Sequence, residues 1–182
     1  MNDAAHKNKP LYQILLGDSW HSLPEEIRAL HDFTGTATAS GEGCVTRGHN
    51  PIAKIIAWIV GFPRAAKRID VRVVFTTENG AEKWTRHFGT ESFYSKQYIE
   101  DGLLVETFGP LRFHMNVPIE DGKLHLHLKR WSFLKIPLPM FLCPQSKSYE
   151  YVADGKFHFH VRISHPLCGL IVHYHGWLLR TS

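Results

Sequence analysis

Cysteine is scarce in this sequence: Cys44, Cys143 and Cys168 lie far apart in 182 residues, with no C-x-x-C pair. That excludes a disulfide framework and the usual zinc-ribbon spacing, and it suits reduced thiols in a cytoplasmic protein. Long apolar runs are missing as well. The longest, Ile55 to Phe62, falls far short of the ~20 residues that a membrane-spanning helix needs. The opening residues, MNDAAHKNKPLYQILL, lack a basic segment followed by a long apolar one, so no secretion signal is expected. Extended runs of like charge are absent, and the net charge of +4 is mild, which argues against a nucleic-acid partner. No H-E-x-x-H, nucleophile elbow or glycine-rich phosphate loop appears, so no catalytic residue, metal ligand or cofactor is assigned.

What is present is turn chemistry. With 43% apolar and 21% charged residues, the chain suits one globular domain over residues 1–182. Asn79-Gly80, Asp101-Gly102, Asp121-Gly122 and Asp154-Gly155 are two-residue hairpin signals. Gly89-Thr90, Gly109-Pro110, IPLPMFLCPQ and SHPLCG are further breaks. Together they delimit strands near 69–78, 81–88, 91–100, 103–108, 111–120, 123–134, 147–153, 156–163 and 170–180, with TGTATASGEGCVTR as a tenth. The expected fold is mainly β (α+β): a ten-stranded antiparallel up-and-down meander forming a barrel or strongly curved sheet, its last strand closing on its first.

Two helical regions accompany it. Residues 1–33 read as a helical N-terminal segment. Leu11, Ile14 and Leu15 share a face, and a second helix follows Pro24 with Ser22 as N-cap. Within the meander (34–182), a helix is expected near 50–62, with Asn50 as N-cap, Pro51 in its first turn and Gly61-Phe62-Pro63 as its stop. It is apolar on nearly every side, as in a buried helix or one lying on a membrane. The first strand carries a row of small residues, Gly35, Ala37, Ala39, Gly41 and Gly43. Such a row admits either this helix or a ligand.

Because strand side chains alternate faces, the two-residue turns dictate which residues oppose one another. Phase carried from Phe75 opposite Trp84, through Gln97 opposite Glu106, to Phe113 and Met115 keeps one mostly apolar face. That inward face offers Trp84, Arg86, Phe88, Gln97, Glu106, Phe108 and Phe113 as candidate ligand-binding residues. Arg86 sits about 13 Å along the strand from Glu82, which argues against direct pairing with Glu106. It reads either as the anchor for an anionic head group or as a cation stacked on Trp84. Glu82 and Glu106 are the alternative site, as acid and base of a small enzyme.

The stretch FHFHVRISHPLCGLIVHYH holds four histidines. The expected register places His160 opposite His173 and His158 opposite His175, on the outward face, with no carboxylate to orient them as a metal site requires. His125 and His127 alternate with core leucines in the same way. At the barrel end away from the Asn-Gly and Asp-Gly turns, the sequence gathers Trp58, Phe62, Trp131, Phe133, Leu138, Met140, Phe141 and Leu167, near Arg64, Lys67 and Arg68. Such a rim either opens toward a membrane or partner, or folds over and plugs the barrel.

The stretches LHDFTGT, WTRHFG, LLVETFGPLRF, WSFLKIPLP and GLIVHYHGWLL resemble a bacterial family, domain of unknown function 4166. The resemblance covers most of the chain, and the F-G-P-L-R-F run is its most specific part. It implies no reaction or cofactor, and it implies a bacterial domain found alone or joined to dehydrogenase-like domains. The expected function is non-catalytic binding of a hydrophobic or amphiphilic small molecule inside a β-cup. Its expected partners are that ligand and either a peripheral membrane surface or a dehydrogenase-like protein.

Overall fold

The structure, a computed structural model, describes residues 9–182; the first eight residues of the expected helical segment lie outside the described part. Two short helices, α1 (Leu11–Leu16) and α2 (Glu25–His31), flank a 3-10 turn. The strands are β1 (Thr36–Arg47), β2 (Ala66–Glu78), β3 (Ala81–Phe88), β4 (Glu91–Glu100), β5 (Leu103–Phe108), β6 (Leu111–Asn116), β7 (Ile119–Glu120), β8 (Lys123–Phe133), β9 (Ile136–Leu138), β10 (Gln145–Ala153), β11 (Lys156–His165) and β12 (Gly169–Arg180). Helix α3 (Pro51–Val60) separates β1 from β2.

Ten of these strands form a closed antiparallel barrel in chain order. The two-residue turns set that order. Asn79, Asp101, Asp121 and Asp154 all have positive φ, as do the glycines that follow them, which is the conformation a tight hairpin of matching twist requires. Strand β12 closes on β1 along a long ladder from Ala39↔Arg180 to Arg47↔Val172. The weakest seam lies between β8 and β10. Only Leu124↔Glu150, His125↔Tyr149 and Leu126↔Ser148 pair there, and beyond them β8 turns to pair β9.

The register across the middle strands is as expected: Phe75↔Trp84, Val73↔Arg86, Gln97↔Glu106 and Glu106↔Phe113. Other expectations need correction. The strand expected over 111–120 breaks at Val117 and Pro118, because proline has no N–H to give the ladder. Helix α2 starts after Pro24 without a side-chain cap, and the Ser22 hydroxyl instead donates to the Ser19 carbonyl at 2.7 Å. Between β11 and β12 the pairing is His160↔His175 and His158↔Trp177, with a bulge after Ile163. The turn spans Pro166 to Cys168 and ends on Gly169 at positive φ, so the register moves by two residues while each side chain keeps its face.

Helix α3 forms as expected. Asn50 accepts from the Ile52 N–H at 2.9 Å and Gly61 ends the helix in the left-handed region. Its Ala53 and Ala57 are fully buried, and it packs on β12. Of the small residues of β1, Gly41 and Gly43 serve a different neighbour, the backbone of β12. A Cβ at Gly41 would stand 2.0 Å from the Trp177 carbonyl oxygen. Gly43 and Gly176 both lie against the ring of Phe159. This closeness predicts that Gly41→Ala, which must force two backbones apart, destabilises the protein by about 2 kcal/mol or more in urea unfolding.

Candidate functional site

The two barrel ends differ. Strand alternation sends all four Asn-Gly and Asp-Gly turns to one end, where α1 and α2 enter. Tyr12 and Ile27 there are at most 1% exposed, and Arg180 donates to the Ala29 and Asp32 carbonyls to hold α2 against β12. The other end receives α3, the β8–β10 connection and the β11–β12 turn. Between the ends is a cavity of about 170 Å³, close to the ~150 Å³ that admits benzene in an apolar core. Its walls are Val71, Val73, Phe88, Leu126, Leu128 and Val161, and Ile56, Val60 and Phe62 border it at the α3 end, where Phe62 is buried against Phe93 and Tyr174.

All seven residues singled out from the sequence line this cavity: Trp84, Arg86, Phe88, Gln97, Glu106, Phe108 and Phe113. Their polar members form a connected floor. The Tyr12 hydroxyl donates to Gln97 Oε1 at 3.1 Å, and Gln97 Nε2 donates to Glu106 at 3.1 Å. Glu106 Oε1 also accepts from Ser95 at 2.6 Å and from Arg86 at 3.1 Å. The pairing of Arg86 with Glu106 overturns the expectation that the two are too far apart. Distances along a flat strand do not apply inside a closed barrel, where tilted strands and a long side chain bring inward groups together. The guanidinium also donates to Ser95 at 2.8 Å and lies 5.2 Å from the Trp84 ring.

The second carboxylate is bound separately. Glu82 accepts from Trp84 Nε1 at 2.9 Å and from the Leu11 N–H at 3.3 Å. Burial raises its pKa, opposed by the Trp84 hydrogen bond, His31 and the Leu11 N–H. Burial likewise lifts the Tyr12 phenol well above its ordinary value, reinforced by Glu150, Glu106 and Glu82. Tyr174, on the cavity wall, is pushed up to about 12 by burial. Both carboxylates therefore already accept internal donors, which acid–base work would require them to release.

Sequence reasoning missed Tyr12, His31 and Glu150. Fully buried His31 meets Glu150 at 2.7 Å and packs at a tilt on Tyr12 with ring centroids 3.9 Å apart. Glu150 was legible: Tyr149 and Tyr151 point outward, so the residue between them points in. No strand periodicity reaches α1 or α2, so the insertion of Tyr12 and His31 left no comparable signal.

The outward histidines form a belt. His160 stacks on Tyr149 at 4.6 Å and 15°, and its Nδ1 lies 3.4 Å from His173 Nε2. Glu120 stands beside His125 and His127, with ligand atoms within 4.8 Å of one another. That neighbour, brought by the short β7–β8 hairpin, was not foreseen for the His125–His127 pair.

Residues 23–178 match the family described as Domain of unknown function (DUF4166). The chain belongs to that family. No curated protein gives a significant match. The DUF4166 span takes in α2 and the barrel as far as Leu178, and it leaves Tyr12, which completes the floor, outside.

Two predictions follow from these contacts. Arg86→Met strands the Glu106 carboxylate and should lower stability by about 3 kcal/mol in urea unfolding. Adding Glu106→Gln should recover most of that loss. The second concerns pH. Burial lowers the pKa of His158, His160 and His173, that of His160 to about 4. Below ~6.5 the unfolded chain takes up protons that the folded belt refuses, so stability falls as pH falls. Between pH 7 and 5 the melting temperature should drop, and His160→Gln should flatten the drop.

Proposed function

We propose that this DUF4166 barrel binds a hydrophobic or amphiphilic small molecule without chemical change. The observation that carries the reading is a cavity with apolar walls and a hydrogen-bonded polar floor. Apolar walls with a few convergent polar groups are the usual make-up of a small-molecule site. At about 170 Å³, the chamber suits a ring or a short chain, with the rest of a longer ligand emerging at the mouth. Glu106 balances the charge of Arg86, so the floor favours a neutral hydroxyl or carbonyl over a free carboxylate. That revises the anionic head group expected for an unpaired arginine. Each of these two side chains keeps about 12% exposure, which leaves a bond to a ligand within reach. Three unpaired thiols support a reducing bacterial cytoplasm as its place of work.

The test is retained and added ligand. Native mass spectrometry of freshly purified protein should show an adduct that organic solvent extracts. A fluorescent amphiphile should bind saturably, and Val161→Trp, which fills the chamber, should weaken it at least tenfold while the protein stays folded. Absence of saturable binding, or binding indifferent to Val161→Trp, would refute the proposal.

A further inference from the structure

The α3 end of the barrel has a composition of its own. Apart from Tyr94 and Leu179, every large apolar side chain that is markedly exposed among the described residues lies there. Trp58 is 79% exposed, Phe141 76% and Leu167 78%. These come from three connections: 48–65 between β1 and β2, 134–144 between β8 and β10, and 166–168 between β11 and β12. Around the barrel those strand pairs are consecutive, so the three connections make one continuous arc of the mouth. His165 Nε2 approaches the Leu142 carbonyl at 3.3 Å and ties two of them together. The turns Gly89-Thr90 and Gly109-Pro110, on the remaining arc, contribute none of these side chains.

Charge on the arc has one sign. The three connections contain no Asp or Glu, and they carry Lys54, Arg64 and Lys135, with Lys67 just beyond. Glu91, on β4, reaches in to pair with Arg64 at 3.2 Å. The opposite end mixes signs: Asp101, Asp121 and Asp154 lie in its turns and Glu25 and Glu26 on α2, but α2 also carries Arg28, and Arg130 pairs with Asp101. Helix α3 divides its own faces accordingly. Ala53 and Ala57 are buried against the barrel and Ile56 and Val60 border the cavity, while Ile52, Ile55, Trp58 and Ile59 face away from it.

We infer that this arc docks on an anionic lipid surface and sets the mouth of the cavity against the membrane. Tryptophan and aliphatic side chains beside lysine and arginine are the make-up of an interfacial membrane surface. There the apolar groups enter the acyl boundary and the bases meet the headgroups. A protein partner accounts for the apolar groups alone. It does not account for the lack of acidic residues over all three connections, nor for their position around the mouth. The inference deepens the binding proposal: an amphiphile would pass between bilayer and barrel without crossing water.

Co-sedimentation of the full chain with vesicles tests it. Vesicles of phosphatidylcholine mixed with phosphatidylglycerol should bind the protein, and vesicles of phosphatidylcholine alone should bind it at least tenfold more weakly. Trp58→Ser and Phe141→Ser should each weaken binding about tenfold. Lys54→Glu should weaken it at least fivefold, as high salt should also do. Two variants separate this claim from the ligand proposal. Trp58→Ser should still take up a fluorescent amphiphile from solution, and Val161→Trp should still bind vesicles. Failure to bind mixed vesicles, or equal binding to both kinds, would overturn the docking claim. So would self-association that Trp58→Ser disperses while vesicle binding is unchanged.

Discussion

Closure of the barrel is the constraint on which the other features depend. Once β12 pairs with β1 along its length, each inward side chain points at a shared axis and each outward one at the surroundings. Arg86 and Glu106 meet for that reason, although one strand, β4, lies between theirs. The same closure collects seven separate strand positions around one cavity, while strand alternation turns His158, His173 and His175 away from it and His160 borders it. A flat sheet with the same pairings would not gather these positions around one cavity.

Closure also sets where the structure is weak. The β8–β10 seam has three paired positions, whereas β1 and β12 share nine. Near that seam the cavity is bordered by Leu128, Pro144 and Ser146. A short ladder opens more readily than a long one; its three pairs lie near the Asp121-Gly122 turn, and β8 and β10 part toward the end that carries the apolar arc. The other end is sealed by α1 and α2, whose Tyr12 and His31 are packed against Trp84. The barrel is thus a cup with a polar, hydrogen-bonded base and an apolar rim.

Most of the strand pairing was legible because tight turns leave no freedom of register. Asn79-Gly80 determines Phe75 opposite Trp84, and the phase then carries through Gln97 and Glu106. The pairing of β11 with β12 was not legible at the same level. The SHPLCG loop allows more than one register, and only the bulge after Ile163 decides between them. The Arg86–Glu106 contact was missed because strand spacing on a plane says nothing about convergence inside a barrel. The role of Gly41 was missed because a small residue announces close approach without naming what approaches. Tyr12 was missed because an amphipathic helix pattern marks a buried face without locating the surface that buries it.

The central claim is that the interior, rather than the rim or the histidine belt, receives a ligand. Methyl NMR with a saturating neutral amphiphile such as dodecanol tests it directly. The account predicts intermolecular Overhauser contacts from the alkyl chain to methyl groups of Val73, Leu126, Leu128, Val161 and Ile163. Contacts confined to Ile55, Ile59 and Leu167, with the interior methyl resonances unmoved, would contradict it.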